Sequence, residues 1–277
     1  LTLTDGSQLS SPYAVVATGF NHTPVTPDYP GLAGFTGELC TAHDYRNGGA
    51  FAGRDVLVVG TGNTGTEIAV DLVEHGARRV RLAVRTVPHI VRRNTGPIAA
   101  QYTGIAVRRL PLPVADWLGA LTGRLQTPDL SAQGLPRPDT GILTRVVRDN
   151  AIPVQDVGII DAIRSGRVEP VAALAGFDGA EVELADGSRI EPDAVILATG
   201  YTQGLAPLIG HLGVLDDKGH PGATGARTLP EAPGLYYTGF TNPISGMLRE
   251  IAIDSTKIAI SMSLARAAAR QAPPSSR

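Results

Sequence analysis

The 277-residue chain has little of several features on which whole classes of protein depend. Its one cysteine, Cys40, excludes an intramolecular disulfide and a CxxC redox pair. It has no apolar run of about eighteen or more residues, so the sequence predicts no membrane-spanning helix. The net charge of −2 gives no basic footprint for nucleic acid. We therefore expect a globular, cytoplasmic protein that binds neither nucleic acid nor membrane.

The histidines and the overall composition further narrow the class of protein to which the chain can belong. The six histidines show no metal-ligand spacing, and the sequence predicts no metal site. With 43% hydrophobic and 18% charged residues, the composition is that of a folded protein. The length allows two modest domains or one large one.

The stretch with the clearest chemistry is a glycine turn between a strand and a helix. Residues 56–59 form an unbroken apolar run, typical of a parallel strand buried on both faces. The turn reads Gly60-x-Gly62-x-x-Gly65, and residues 66–76 then carry apolar side chains at helical spacing. A second strand follows at 80–84. An ordinary tight turn would have the same glycines, but the strand and helix around this one favour a dinucleotide-binding unit.

Each glycine of this turn has a predicted role. Gly60 allows the tight turn, Gly62 lets the backbone approach a pyrophosphate, and Gly65 lets helix and strand pack closely. The pyrophosphate is expected on the unpaired N–H groups at the positive end of the helix.

The choice between NADH and NADPH depends on a position about twenty residues after the turn. NAD enzymes tend to place an acid there for the ribose 2′-hydroxyl, whereas this chain has Arg85. No acid lies between residues 78 and 93, a stretch that contains Arg78, Arg79, Arg81, Arg85, Arg92 and Arg93. A guanidinium suits a 2′-phosphate through a bidentate, charge-assisted contact. The sequence therefore favours NADPH, and Arg85 is the first candidate to contact its 2′-phosphate. We expect Arg78 and Arg79 to be merely solvated.

An internal repeat gives the strongest signal of chain organisation. Residues 1–20 (LTLTDGSQLSSPYAVVATGF) align without a gap with residues 182–201 (VELADGSRIEPDAVILATGY), at an offset of 181. Each copy predicts a strand, an Asp-Gly hairpin turn, a short strand and a buried strand ending at Ala-Thr-Gly. The second copy closes the glycine-turn domain, so the first copy should close another domain of the same type. We therefore expect this chain to be the C-terminal portion of a longer protein.

The remaining segments give weaker predictions. Residues 21–53 are rich in proline and glycine and indicate a crossing between domains with little regular structure. A short amphipathic helix is expected over 115–125, more for packing than for lining a substrate pocket. Residues 154–174 predict a helix ending near Gly166 and then a strand. A buried strand is expected over 234–240, followed by a long helix from about 245.

The sequence resembles the flavin-containing monooxygenases, and within them the YUCCA-like indole-3-pyruvate monooxygenase group. The similarity covers nearly the whole chain and is carried by these stretches: VVATGF (15–20), FTGELCTAHDYR (35–46), VLVVGTGNTGTEIAVDL (56–72), AVRTVPHIVRR (83–93), GLPRPDTG (134–141), PVQDVGIIDAIRSG (153–166), AVILATGY (194–201) and GLYYTGF (234–240). The resemblance implies an α/β, Rossmann-like two-dinucleotide-binding flavoprotein fold from which the N-terminal part of the FAD domain is missing. Residues 1–52 and 202–277 would belong to the FAD domain, and 53–201 to an inserted NADPH domain.

The resemblance also implies a reaction. NADPH would reduce FAD, and the reduced flavin would react with O2 to give a C4a-peroxyflavin. That species would oxygenate a small organic substrate, such as an indole-pyruvate-like 2-oxo acid. We nominate no catalytic side chain, because the flavin carries the chemistry.

The expected cofactor-binding residues fall into three groups. For the NADP pyrophosphate and 2′-phosphate they are Gly60, Thr61, Gly62, Asn63, Thr64, Gly65, Arg85 and Arg93. Thr199 and Gly200 would lie near NADP at the sheet edge. Thr18, Gly19, Gly239 and Phe240 would face the flavin.

Two departures from the family and two alternatives belong beside this interpretation. One departure is that the family's FAD glycine motif is not in this chain, and the other concerns a signature sequence. The family signature FxGxxxHxxxY maps to Phe35, Gly37, position 41 and Tyr45, but position 41 is Thr and the nearby histidine is His43. This difference puts normal coupling of nucleotide and domains in doubt. The alternatives are a catalytically silent NADPH-binding fragment, and an NADPH-dependent flavin reductase acting on another acceptor.

Overall fold

The computed structural model describes residues 2–92, 94–95, 98–99, 110–126, 129–149, 151–243 and 245–271. The chain divides into two compact units. The inserted unit is Pro24–Tyr201, and the flanking unit combines Leu1–Thr23 with Thr202–Arg277. Each unit is described by itself below.

The elements are numbered in chain order. The strands are β1 (Ala14–Val16), β2 (Thr23–Pro24), β3 (Glu38–Thr41), β4 (Asp55–Val59), β5 (Arg79–Val84), β6 (Ile90–Arg92), β7 (Asn94–Thr95), β8 (Ile98–Ala99), β9 (Val154–Asp156), β10 (Val168–Ala172), β11 (Leu174–Asp178), β12 (Glu181–Leu184), β13 (Arg189–Ile190), β14 (Ala194–Leu197), β15 (Tyr201–Thr202) and β16 (Leu235–Tyr237). The α-helices are α1 (Asn63–Glu74), α2 (Leu112–Gln126), α3 (Ile142–Asp149), α4 (Ile159–Arg164), α5 (Ala206–Ile209) and α6 (Met247–Gln271). Short 3-10 turns occupy Leu32–Gly34, Gly48–Phe51, Ser131–Gln133 and Gly210–Leu212.

A five-stranded parallel sheet in the order β10-β5-β4-β14-β3 forms the centre of the inserted unit. The chain leaves β4 through α1 and returns to the sheet at β5, on one side of β4. On the other side of β4 lies β14. The strand order therefore reverses at the carboxyl ends of β4 and β14, which is where open α/β sheets bind ligands.

The core explains why β4 reads as an unbroken apolar run. Successive side chains of a strand point to opposite faces, and both faces of this sheet are covered. Val56 and Val58 pack in the cluster that contains side chains of α1 and α4. Leu57 and Val59 pack on the other face, in the cluster that contains Leu184 and other side chains of the β11-β12-β13 sheet.

The predicted strand, glycine turn, helix and second strand are confirmed. β4, α1 and β5 lie where the pattern placed them, and α1 ends just before Gly76, which has φ of 80°. The helix and strand predicted within 154–174 are α4 and β10, preceded by β9. The predicted helix near 115–125 is α2, but Trp117 on it is 64% exposed.

The prediction of little regular structure over 21–53 is wrong at β3; the other elements there are the two-residue β2 and two 3-10 turns. β3 pairs in parallel with β14 and forms an edge of the central sheet. Its four residues are too few to show a periodicity, and none of them is fully buried. The compact unit that contains the central sheet runs from Pro24 to Tyr201 and so includes β3. The assignment of the two parts to FAD and NADPH stays a prediction.

In the flanking unit, β1 pairs in parallel with β16, and the long helix α6 follows. Its apolar cluster includes the following residues: Val16, Leu205, Ile209, Val214, Tyr237 and Phe240. The predicted strand near 234–240 and the long helix after it are confirmed. No helix among the described residues is long and apolar enough to cross a bilayer.

The repeat seen in the sequence recurs in the backbone. The Leu3 N–H donates to the Ser7 carbonyl at 2.8 Å, and the Leu184 N–H donates to the Ser188 carbonyl at 2.9 Å. In both turns the aspartate Oδ1 accepts from the serine N–H and hydroxyl. The serine hydroxyl bond lowers the pKa of that carboxyl in each turn. The turns of the two copies therefore have the same hydrogen bonds. The predicted hairpin strands form as β12 and β13 in the second copy, whereas the first copy has a single bridge between Thr2 and Gln8.

Candidate functional site

The glycine turn after β4 has two glycines that packing requires and one that faces open space. Gly60 has φ of 122°, and a Cβ there would collide with the Ala198 carbonyl. A Cβ at Gly65 would collide with the Gly60 carbonyl. Gly62 has φ of −78°, and a Cβ there would meet no atom within 4 Å. The turn therefore presents a bare backbone surface at Gly62.

The amino end of α1 opens onto this surface. Gly62 caps the helix without a side-chain hydrogen bond, and the first turn contains no acid. The Thr66 N–H donates to the Gly62 carbonyl at 3.1 Å, so the N–H groups of residues 63–65 lie ahead of the helical ladder. These N–H groups and the positive end of the helix dipole can bind an anion.

Two polar side chains near the turn hold its shape. The Thr61 hydroxyl donates to the Thr86 carbonyl at 3.1 Å, which joins the turn to the residues after β5. The Asn63 Oδ1 accepts from the Gln155 N–H at 2.8 Å, and its Nδ2 donates to the Pro153 carbonyl at 3.4 Å. The Asn63 side chain thus connects the turn to β9, and only its backbone N–H faces the anion surface.

Arg85 lies one residue beyond β5, at the same sheet edge as the turn, because β4 and β5 are parallel neighbours. Its side chain is exposed. Burial raises the pKa of Tyr29, and the positive charge of Arg85 opposes that rise. Of the other predicted 2′-phosphate ligands, Arg93 lies outside the described residues.

The three arginines that precede Arg85 have partners elsewhere. Arg78 pairs with Asp193 at 3.1 Å and Arg79 with Glu169 at 2.6 Å, so both are ion-paired rather than merely solvated. Arg81 is buried, and its Nη1 lies 2.6 Å from the Asp55 Oδ1. Arg81 therefore has a structural role inside the sheet.

Thr199 and Gly200 follow β14 and lie beside the turn. The Ala198 N–H donates to the Val59 carbonyl at 2.8 Å. The Thr199 hydroxyl donates to the Val25 carbonyl, and the Val25 N–H donates to the Gly200 carbonyl at 2.9 Å. The structure thus brings the glycine turn, Arg85, Thr199 and Gly200 to one edge of the central sheet.

Sequence reasoning missed a contact that anchors the outer face of α1. The Tyr45 hydroxyl donates to the Asp71 Oδ2 at 2.5 Å, and the Gly48 N–H donates to the same oxygen at 2.7 Å. Burial and then this carboxylate raise the pKa of Tyr45. The two side chains are 26 residues apart in the chain, so no local spacing could have indicated the pair.

The signature position that departs from the family has a structural explanation. The Thr41 hydroxyl donates to the Asp44 Oδ2 at 2.6 Å and so closes the turn after β3. The displaced His43 is exposed, and its ring lies edge-on to Tyr201 with centroids 6.4 Å apart. His43 thus contacts the residue that follows the Thr199–Gly200 pair.

The predicted flavin-side residues lie in the flanking unit, at the carboxyl ends of β1 and β16. Gly19 and Gly239 have φ of 97° and 84°, and Thr18 is exposed. The Phe240 side chain is buried in the unit's apolar cluster, so only its backbone can face a ligand. The Gln203 Nε2 donates to the Phe240 carbonyl at 3.0 Å.

Some buried polar atoms near the turns at Gly19 and Gly239 have no hydrogen-bond partner among the described residues. Three buried atoms, the Gln203 Oε1, the Tyr237 Oη and the Thr238 Oγ1, have no protein partner in the described part of the chain. Buried polar atoms are usually paired with protein, water or ligand. Together with the backbone turns at Gly19 and Gly239, this unmet capacity fits a polar cofactor beside the carboxyl ends of β1 and β16.

The inserted unit is an α/β unit of the Rossmann type, with its glycine turn at the sheet edge where such folds bind ligands. The family comparison gives the affiliation of the chain. Residues 2–211 match the family described as flavin-binding monooxygenase-like (FMO-like). The chain belongs to this family.

Several plant proteins are similar in sequence. A probable indole-3-pyruvate monooxygenase of Arabidopsis thaliana, YUCCA3, is 35% identical over 230 residues, covering 83% of this chain and 52% of that protein. The indole-3-pyruvate monooxygenase YUCCA4 of Oryza sativa subsp. japonica is 39% identical over 194 residues, covering 69% of this chain and 44% of that protein. The chain thus spans about half the length of these relatives.

Solved structures share the fold. An oxidised steroid monooxygenase bound to NADP superposes with a TM-score of 0.66 at 18% identity, covering 97% of this chain and 63% of that one. A flavin-containing monooxygenase from Stenotrophomonas maltophilia has a TM-score of 0.61 at 20% identity, covering 95% and 66%. The predicted Rossmann-like flavoprotein fold is therefore confirmed.

Proposed function

We propose that the inserted unit binds NADPH and that the protein is an FAD- and NADPH-dependent monooxygenase. The observation that carries the nucleotide assignment is a bare glycine surface at the amino end of α1, with Arg85 at the same sheet edge. An acid at position 85 would repel a 2′-phosphate, whereas a guanidinium attracts it.

Each part of this edge has its own task in binding. The N–H groups of residues 63–65 bind the pyrophosphate, and Gly62 lets it approach. Arg85 binds the 2′-phosphate, with Arg93 as a second candidate. Thr61 and Asn63 hold the turn in place through their bonds to neighbouring backbone. Thr199 and Gly200 form the other wall of the crevice.

The flanking unit is proposed to contribute to an FAD site through Thr18, Gly19, Gly239 and the Phe240 backbone. Support comes from the unmet hydrogen-bonding capacity beside this turn and from the family description. When bound, FAD supplies the redox chemistry with O2. The task of these residues is to orient the cofactor and to exclude water from it.

The substrate is proposed to be a small organic molecule of the 2-oxo acid type. The support is the name of the similar plant proteins, which are indole-3-pyruvate monooxygenases. The activity is proposed for the protein together with whatever residues complete the FAD site, because the chain spans 52% of YUCCA3.

The experiment that tests the nucleotide assignment is calorimetry with NADPH and NADH on the wild type and on Arg85→Ala. Losing a bidentate phosphate contact should weaken NADPH binding by about 1.5–3 kcal/mol, roughly 10- to 150-fold in Kd. NADH binding should change little, because NADH has no 2′-phosphate.

The matched control is Arg78→Ala, which removes the same charge at the opposite end of the same strand. Arg78 precedes β5 and pairs with Asp193, so its loss should leave both affinities within about twofold. Equal weakening by the two variants would reduce the effect of Arg85 to net charge and contradict a 2′-phosphate contact. Tighter NADH than NADPH binding by the wild type would overturn the assignment outright.

A further inference from the structure

We propose that Tyr29 is a second recognition residue for the 2′-phosphate of NADPH, and that its hydroxyl donates a hydrogen bond to that phosphate beside Arg85. The inference rests on the nucleotide assignment proposed above, and it adds a residue from outside the strand, glycine turn and helix. Neither the glycine motif nor the spacing of the arginines indicates Tyr29.

The segment that contains Tyr29 is fixed at both ends within the inserted unit. At its start the Thr199 hydroxyl donates to the Val25 carbonyl. At its end the Phe177 N–H of β11 donates to the Pro30 carbonyl at 2.8 Å. The segment therefore begins at the carboxyl edge of the central sheet, beside the glycine turn, and ends on the β11-β12-β13 sheet.

Close packing holds Tyr29 in place within this segment. Gly31 has φ of 75°, and a Cβ there would collide with the Phe177 carbonyl. The Leu32 N–H donates to the Tyr29 carbonyl at 3.2 Å, and the Tyr29 ring lies edge-on to the Phe177 ring with centroids 6.2 Å apart. Because backbone and ring are held in advance, little conformational freedom is lost when the hydroxyl contacts a ligand.

Arg85 leaves the sheet on the face where Tyr29 packs. Tyr29 packs against the apolar cluster that contains Val59, at the end of β4, and Ala83 of β5. Val84 packs against the cluster on the opposite face. Side chains alternate between the two faces along a strand, so Arg85, two residues after Ala83, follows on the same face as Ala83. Tyr29 and Arg85 therefore lie on one side of the carboxyl edge.

The electrostatics of Tyr29 agree with this placement. Burial raises the pKa of Tyr29, and the positive charge of Arg85 lowers it. Because burial has the larger effect, the phenol keeps its proton at neutral pH and can act as a hydrogen-bond donor. Among the described residues the Tyr29 hydroxyl has no hydrogen-bond partner, so its proton is available to a ligand.

Together the two side chains supply donors that suit a phosphate monoester. A guanidinium donates two parallel hydrogen bonds to phosphate oxygens, and the phenol adds a third donor. Hydrogen bonds to an ionised acceptor are about twice as strong as those to a neutral one, and NADH offers only a neutral 2′-hydroxyl at this place. The pair of Tyr29 and Arg85 therefore discriminates NADPH from NADH rather than strengthening the binding of both.

The test is calorimetry on Tyr29→Phe, which keeps the ring against Phe177 and removes only the hydroxyl. The ligands are NADPH, NADH and two molecules that isolate the adenosine half, adenosine 2′,5′-bisphosphate and adenosine 5′-monophosphate. The two ligands with a 2′-phosphate should bind about tenfold more weakly, and the two without it should change by less than about twofold. Combined with Arg85→Ala, the substitution should leave NADPH and NADH with affinities within about threefold of each other.

The matched control is Tyr13→Phe, which removes the hydroxyl of a half-buried tyrosine in the flanking unit and should leave all four affinities unchanged. Wild-type affinity of Tyr29→Phe for NADPH, with Arg85→Ala still weakened, would overturn this inference and leave the nucleotide assignment standing. Equal weakening of NADPH and NADH by Tyr29→Phe would also overturn it, because the hydroxyl would then not contact the 2′-phosphate. A wild type that binds NADH as tightly as NADPH would overturn both proposals.

Discussion

Two alanine substitutions in the glycine turn should separate folding from nucleotide binding. At Gly65 the new methyl group would collide with the Gly60 carbonyl and lie 3.3 Å from the Ala198 Cβ. These neighbours belong to a buried strand end and cannot rotate away, so α1 must move off the sheet. Such overpacking costs about 1–3 kcal/mol, against a gain of less than about 1 kcal/mol in helix propensity. We expect a net loss of stability.

Gly62→Ala should give the opposite result. Its φ of −78° is ordinary for alanine, and the methyl group would meet no protein atom within 4 Å. The free energy of unfolding should fall by less than about 1 kcal/mol, because the only cost is that alanine caps a helix less well than glycine. The methyl group occupies the surface on which the pyrophosphate would lie, so NADPH should bind at least about tenfold more weakly, or 1.4 kcal/mol.

The assays are urea denaturation followed by circular dichroism, and calorimetry with NADPH, on both variants and the wild type. Wild-type NADPH affinity in Gly62→Ala would refute the placement of the pyrophosphate. Wild-type stability in Gly65→Ala would refute the packing argument for α1. Loss of both stability and NADPH affinity in Gly62→Ala would show that this glycine is structural.

Two further predictions concern stability. Arg81→Ala should lower the free energy of unfolding, measured by urea denaturation, by about 3–5 kcal/mol, because it leaves the buried Asp55 carboxylate unpaired. As a control, Arg79→Ala removes an exposed ion pair and should cost less than about 1 kcal/mol. Equal losses in the two variants would contradict this prediction. Burial lowers the pKa of His89 below its usual 6.5. The stability that neutral His89 contributes is therefore complete above pH 6.5 and is lost as the pH falls through the lowered pKa. His89→Gln should flatten the pH dependence of the unfolding free energy between about pH 7 and pH 5; an unchanged slope would refute it.

Much of the inserted unit could be predicted from sequence because its signals are local. The buried run at β4, the glycines and the helical spacing of α1 all lie within some thirty residues, and each forms the element that its pattern indicates. The repeat was equally readable, because an Asp-Gly-Ser turn imposes the same hydrogen bonds wherever it occurs. The alignment of the two copies could be read from the sequence without the structure.

What the sequence could not give depends on contacts between distant residues. β3 is a short edge strand whose pairing with β14 spans more than 150 residues, and its own letters show no period. The bond between Tyr45 and Asp71 and the use of the Asn63 side chain by β9 are set by tertiary packing. Arg81 lies within β5 and is buried against Asp55, whereas Arg85 lies one residue beyond β5 and is exposed. The spacing of the arginines does not encode this difference.

The measurement that tests the central claim most directly is a hydrogen-exchange footprint of NADP⁺ on this chain. The account predicts slower exchange at the amides of residues 62–66, where the N–H groups at the start of α1 bind the pyrophosphate. It also predicts slower exchange at 199–200, on the other wall of the crevice, with no change at the opposite edge near Arg78. Protection confined to other segments, or binding that leaves 62–66 unchanged, would contradict the account.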